Sequence, residues 1–119
     1  MALTTKITYG SLASVDSSTL SGSFVSIGSP LLYQSGIVKF VNNSNVLITV
    51  SIDGVNECDI LPANSFFLYD ITSNLPNGLQ GSFFPEGTQF YIKGSSGTGR
   101  VYLAYLYLMP SQSPALQRV

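Results

Sequence analysis

Residues 46–54 read Val46-Leu47-Ile48-Thr49-Val50-Ser51-Ile52-Asp53-Gly54. In an extended chain Val46, Ile48, Val50 and Ile52 fall on one face, and Leu47, Thr49 and Ser51 on the other. A period of two is what a half-buried antiparallel strand requires. A helix would instead place apolar residues three and four apart, and no segment of the chain sustains that spacing. Asp53-Gly54 supplies a short-range hairpin signal. Glu57 to Leu61 is the expected returning strand.

The same grammar extends in both directions. Downstream, Pro62-Ala63-Asn64 turns the chain into a strand over Ser65 to Ile71, which carries Phe66, Phe67, Leu68 and Tyr69. Residues 73–81, rich in Asn, Pro and Gly, read as a loop. Ser82-Phe83-Phe84 is a short piece before the tight turn Pro85-Glu86-Gly87. Thr88 to Lys93 reads as a strand with Phe90 and Ile92 on one face and Gln89, Tyr91 and Lys93 on the other. Gly94 to Gly99 is a glycine-serine turn. Arg100 to Met109 is the longest strand and is apolar on both faces, which predicts a central place between two layers. Upstream, Gly36 to Val41 is a strand closed by the turn Asn42-Asn43-Ser44-Asn45. Leu31-Leu32-Tyr33 is a short apolar piece, and Gly22 to Ile27 is a strand ended by Gly28-Ser29-Pro30. Residues 2–20 are Ser/Thr-rich, with only Ile7, Tyr9, Leu12 and Val15 as apolar exceptions. They predict an extended arm, and Pro110 to Val119 a second one. The expected organisation is an N-terminal arm over 1–20, a β domain over 21–109 and a C-terminal tail over 110–119. The expected fold class is all-β, an antiparallel β-sandwich or jelly-roll-like barrel with extended terminal arms.

Composition narrows the function. The chain has 119 residues, one domain's worth, and 45% of them are hydrophobic. Only 9% are charged, against roughly 25% in an average soluble protein. Surfaces so short of charge are more often covered by other subunits than left in water. The formal net charge is −1 and no basic run occurs, so direct nucleic-acid binding is not expected. Cys58 is the single cysteine. It allows no intrachain disulfide, which fits assembly in a reducing cytoplasm. Met1 to Lys6 lacks the apolar core of a signal peptide, and no apolar run has the length of a transmembrane helix. The expectation is a soluble, unprocessed protein with no membrane partner.

No constellation for catalysis is present. With no histidine, neither a Ser-His-Asp relay nor a Cys-His pair can be built around any serine or Cys58. Cys58 reads as a small apolar strand residue. Asp53, Glu57 and Asp59 form the one acidic cluster, and three carboxylates around a hairpin are oxygen ligands suited to Ca²⁺. Their spacing does not match an EF-hand, and the plainer reading is solvated charge guarding a hairpin against edge pairing. Paired carboxylates also serve glycoside hydrolysis, but the chain has no tryptophan to line a sugar cleft. Gly94-Ser95-Ser96-Gly97-Thr98-Gly99-Arg100 resembles a phosphate-cradling loop only superficially. A Walker A loop ends in Gly-Lys-Ser/Thr and opens a helix, whereas this one ends in Gly-Arg and opens a strand. Seven tyrosines and seven phenylalanines supply core and strand propensity, or a sugar platform or subunit interface on the exposed faces. On the last strand Tyr102, Ala104, Leu106 and Leu108 share one face, and Tyr105 and Tyr107 lie on the other. The expectation is therefore no enzyme, no catalytic or metal-binding residues and no cofactor.

Two longer stretches carry a resemblance. "IVKFVNNSNVLITVSIDGVNECDILPANSFFLYDI" and "FFPEGTQFYIKGSSGTGRVYLAYLY" follow one pattern. A strand, an Asn-rich turn and a strand ending Asp-Gly-Val lead to a Pro-Ala-x-Ser/Thr turn and an apolar strand ending in Asp. A Gly-Thr-x-hydrophobic-Tyr-Ile-Lys-Gly strand and a Gly-Thr-Gly-x-Val-Tyr strand complete it. This pattern resembles small β-rich virion structural proteins of tailed bacteriophages. It runs from Gly36 to Tyr107 and leaves 1–20 and 110–119 uncovered. The resemblance implies an oligomeric component of the head–tail junction or tail ring, assembled in the host cytoplasm and resident in the virion. Such a homo-oligomer would contact portal, adaptor, tail or major capsid protein. The alternatives are a capsid decoration (cement) protein on the head surface and a receptor- or carbohydrate-binding β module using exposed tyrosines such as Tyr91 and Tyr102. The pattern transfers no catalytic residue.

Overall fold

A computed structural model describes residues 4–70 and 84–111. Its strands are β1 (Thr4–Tyr9), β2 (Ala13–Asp16), β3 (Val25–Ile27), β4 (Ser35–Ser44), β5 (Ile48–Ser51), β6 (Asp59–Leu61), β7 (Ser65–Asp70), β8 (Phe90–Gly94) and β9 (Gly99–Ser111). They form two antiparallel sheets. The first runs β1-β9-β4-β7 with β2 also on β9; the second runs β3-β8-β5-β6. With β1 and β2 taken as one interrupted strand, each sheet has four members and the chain crosses between sheets in jelly-roll order. The all-β sandwich expected from the alternation is what the chain forms.

The core lies between the sheets. Val38 and Phe40 of β4, Val101, Leu103, Tyr105 and Tyr107 of β9, Ile48 and Val50 of β5, and Phe90 and Ile92 of β8 are all buried. Each such side chain contributes about 1.5–3 kcal/mol. Five rings close a circuit inside the sandwich: Phe40, Phe67, Tyr69, Phe84 and Phe90, with consecutive centroids 4.7–5.8 Å apart. Phe90 comes from the second sheet, Phe40, Phe67 and Tyr69 from the first, so the circuit joins the layers.

Several expectations need correction. The N-terminal stretch is not an arm apart from the domain. β1 and β2 lie along β9, with Tyr9 opposite Leu106 and Val15 opposite Val101. A short 3-10 turn over Ser17–Thr19 follows, Ser17 is fully buried, and Leu20 joins the core. Alternating Ser and Thr concealed a strand whose partner is distant in sequence. Gly10 separates the two strands, and the Tyr105 ring occupies the space a β-carbon there would need. At the other end, residues 110 and 111 belong to β9, and 112–119 lie outside the described residues. So do the expected loop over 73–81 and Ser82-Phe83. Phe84 exchanges backbone bonds with Ser35.

The strand read as Gly22 to Ile27 is only Val25–Ile27, and Leu31 is a core residue in a connection rather than a strand. The strand that decided the fold is shorter than its pattern. Ile48 and Val50 are buried as expected, but Ser51 is buried and Ile52 exposed. The Ser51 hydroxyl accepts the N–H groups of Asp53 and Gly54 and draws the chain out of register. The reversal is consequently wider than two residues. Gly54 takes a left-handed φ of 76°, and pairing resumes only at Val50–Asp59. The Pro85-Glu86-Gly87 turn forms as read, with the Thr88 N–H on the Pro85 carbonyl at 3.1 Å.

Asn42 is the largest departure. It was read as a turn residue, yet β4 runs on to Ser44 and both are buried. Its amide nitrogen lies 2.9, 3.0 and 3.1 Å from the carbonyl oxygens of Val46, Leu61 and Pro62, to which it donates. Its oxygen accepts the Ser44 N–H at 2.9 Å. One carboxamide in the first sheet thus satisfies carbonyls at the start of β5 and the end of β6. Asn42→Ala strands those groups in the core. It should cost about 3 kcal/mol in denaturant unfolding, while Asn43→Ala, on the exposed side of the same strand, should cost less than about 0.5 kcal/mol.

Candidate functional site

The residues singled out as possible ligands are spent on local structure. The Asp53 carboxylate accepts the N–H groups of Val55 and Asn56 at 2.8 Å, the Asn56 amide at 2.7 Å and the Ser51 hydroxyl at 2.8 Å. These bonds, those from Asn56 foremost, hold its pKa far below the usual carboxylate range. Glu57 pairs with Lys93 at 2.8 Å. Asp59 accepts the Tyr69 hydroxyl at 2.8 Å and its neighbour's N–H, that of Ile60. Among the described residues no group of three or more His, Cys, Asp or Glu is placed to hold a metal. Cys58 is exposed in the loop before β6, not on a strand, and its thiol faces the Asn56 carbonyl.

The glycine-serine turn is likewise closed. Gly97 N–H donates to the Ser17 carbonyl, Thr98 N–H to the Asn45 side chain, and the Ser96 hydroxyl to the Ser18 carbonyl. An anion nest needs such N–H groups free. Here they fasten the turn to the N-terminal strands and to the end of β4.

The tyrosines divide by face. Tyr105 and Tyr107 point inward, with ring centroids 5.2 Å apart, and the Tyr107 hydroxyl accepts the Leu32 N–H at 3.1 Å. Tyr91 is half-buried on the outside of the second sheet, its ring against Gly54. Around it lie Thr49, Gln89 and Lys93, whose ammonium sits 4.6 Å from the Phe24 ring centre. That part of the face is polar, with Lys93 paired to Glu57, and the exposed Ile60 stands beside it, opposite Thr49.

The outer face of the first sheet is different. Ile37, Lys39 and Val41 of β4 stand beside Ala104, Tyr102 and Leu106 of β9, and Phe66 and Leu68 of β7 continue the row outward. No further layer covers it among the described residues. Phe66 is 66% exposed, Leu68 51%, Leu12 67% and Tyr9 83%. A shallow hollow of about 430 Å³ lies between Tyr9, Leu12, Ile37, Lys39, Leu68 and Leu106. Those four exposed side chains alone present roughly 500 Å². That already reaches the size of the largest patch on a typical monomer, about 300–600 Å². The second face of β9 is apolar at Tyr102, Ala104 and Leu106, as the sequence suggests. The expected covering layer, however, is not supplied by this chain's described residues. Phe66 and Leu68 were quoted in the sequence as strand material; only their pairing with Val41 and Lys39 reveals them as part of this face.

No protein-family model matches the chain, and no curated protein matches it.

The inner tyrosines make the fold sensitive to alkali. Burial first, then the neighbouring Tyr107, pushes the Tyr105 hydroxyl up to about 12. Burial and the bond to Asp59 raise Tyr69 as well. A raised pKa means the folded state favours the neutral phenol. That stabilisation is complete below the ordinary value of 10.0 and is lost as pH climbs towards about 12. Denaturant unfolding across this range should show falling stability together with rising tyrosinate absorbance. Tyr105→Phe should flatten the fall.

Proposed function

We propose that this protein is a structural subunit of a tailed-bacteriophage virion, an oligomeric component of the head–tail junction or tail ring. The observation that carries the reading is the uncovered apolar face of the first sheet. A chain with 9% charged residues mixes Thr49, Tyr91 and Lys93 with the exposed Leu47 and Ile60 on the outer face of one sheet, and gathers Ile37, Val41, Tyr102, Leu106, Phe66 and Leu68 on the outer face of the other. A subunit bound to neighbours over that face has a use for such asymmetry; a free-standing enzyme does not. The pattern from Gly36 to Tyr107 that resembles small virion proteins supports the same role. The jelly-roll order agrees with it but does not argue for it, since one fold serves many functions. The neighbours are further copies and other virion proteins: portal, adaptor, tail or major capsid protein.

A cement protein on the capsid surface is the second reading, and the same apolar face supports it. Copy number separates the two. Quantified protein bands from purified particles should give about a dozen copies for a closed ring. Hundreds of copies would favour the decoration reading. Absence from washed particles would overturn both.

A further inference from the structure

The apolar face of the first sheet runs out to β7, an edge that no other strand covers among the described residues. Three of the four sheet edges are short or broken among the described residues. β3 and β6 have three residues each, and the β1/β2 edge is interrupted at residues 10–12 and carries Lys6. β7 has six residues, pairs with β4 in an unbroken register from Ile37–Asp70 to Asn42–Ser65, and contains no lysine or proline, its one charge being Asp70 at the last position. Natural edges usually carry such devices to prevent pairing with another chain.

The direction of the backbone groups on β7 follows from bonds elsewhere in the sheet. The Gly10 N–H donates to the Tyr105 carbonyl at 3.0 Å, so Tyr105 turns its main-chain groups away from β4. In an antiparallel ladder these groups alternate sides. Ala104 therefore bonds Lys39, and Val38 and Phe40 bond Tyr69 and Phe67. The Asn45 N–H on the Thr98 carbonyl fixes the same phase independently. It leaves the main-chain N–H and C=O of Phe66 and Leu68 directed outward, at the two positions whose side chains stand exposed.

We propose that two copies of this chain pair through β7, antiparallel, about a twofold axis at Phe67. In that register Phe66 of one copy exchanges main-chain bonds with Leu68 of the other, and the reverse. Each exposed ring then packs beside an exposed leucine. The two first sheets join into one, and their apolar outer faces become a single surface twice as wide. A face-to-face stack about a central twofold is the poorer solution, because Lys39 in the middle of the face would meet its own copy. The inference rests on the proposed role in one respect, that the chain works as an assembled subunit. An edge pairing of this length falls at the low end of interface sizes, below about 1,200 Å² in total, so the dimer is expected at micromolar concentration.

Analytical ultracentrifugation of the full chain at tens of micromolar should show a dimer. Leu68→Lys should shift it to monomer with an unchanged β-sheet circular-dichroism spectrum, since that side chain packs in no core. Register is read by oxidative crosslinking in a Cys58→Ser background. A mixture of Phe66→Cys and Leu68→Cys chains should give disulfide-linked dimers. Neither alone should, because like positions then lie more than about 7 Å apart. A monomeric wild type overturns the proposal, as it would if residues 71–83 or another partner occupied this edge. A dimer that survives Leu68→Lys, or crosslinks equally well from one variant alone, overturns it too. The copy number in particles is unaffected by either result and tests the virion role separately.

Discussion

The sandwich depends on a buried carboxamide. Hydrophobic contact between two sheets is non-directional and would tolerate sliding of one layer over the other. Asn42 removes that freedom. It sits in β4, in the middle of the first sheet, and bonds carbonyls of Val46, Leu61 and Pro62 on the second. These three positions are the entry to β5 and the exit from β6, so one side chain fixes where the β5–β6 hairpin begins and ends. The hairpin in turn sets the register of β8 against β5, Thr49 opposite Lys93 and Val50 opposite Ile92. Phe90 on β8 then meets Phe40 on β4 at 5.5 Å, two residues from Asn42 on the same inward face. Polar fastening and aromatic packing thus reinforce a single alignment.

The same alternation that fills the core decides the character of the two outer faces. On the second sheet the outward residues are Tyr91, Lys93 and Thr49, and the nearby Glu57 neutralises the lysine at 2.8 Å. Ile60 and Leu47 remain exposed there, but singly, amid polar neighbours. On the first sheet the outward positions at its middle are apolar apart from Lys39, while Ser14, Asp16, Asn43, Arg100 and Asp70 stand towards its ends. The division is not forced by the fold, since either face of an antiparallel sheet accommodates polar residues without cost. Retaining Ile37, Val41, Phe66, Leu68, Tyr102 and Leu106 outward is a choice of composition.

Much of the fold was legible because the core strands keep a strict period. Val46 to Val50, Phe90 to Ile92 and Val101 to Tyr107 have the faces that their alternation predicts. What escaped reading was non-local or polar. Residues 4–9 and 13–16 have little apolar content, and they are strands only because β9, some ninety residues later, offers them an edge. Asn42 looked like turn chemistry because Asn favours turns; its buried role depends on carbonyls 4, 19 and 20 positions away. Ser51 interrupted the clearest strand through bonds to its own loop. The candidate surface was half legible. The apolar second face of β9 was visible in the sequence, yet Phe66 and Leu68 could be placed beside it only once the β4–β7 register was known. The three carboxylates of the acidic cluster, close in sequence, are each bonded separately in space.

The shortage of charge takes its meaning from this distribution. A surface that avoids association needs charge at its strand edges and across its widest faces. Among the described residues some charges stand at such places, Lys6 on β1, Lys39 on β4 and Asp70 at the end of β7, but several sit elsewhere. Asp53 is enclosed by its own loop, Glu57 and Lys93 pair on the second sheet, and Asp16 and Arg100 face each other at 3.8 Å near one end of the first. Lys39 stands in the middle of the apolar face, with Asp70 on the same face at the end of β7; one ammonium on a flexible stem can keep the free subunit dispersed without preventing a contact that leaves its head in water. Charge among the described residues thus serves mainly to fix loops and ends, and the middle of the face formed by β7, β4 and β9 carries little of it.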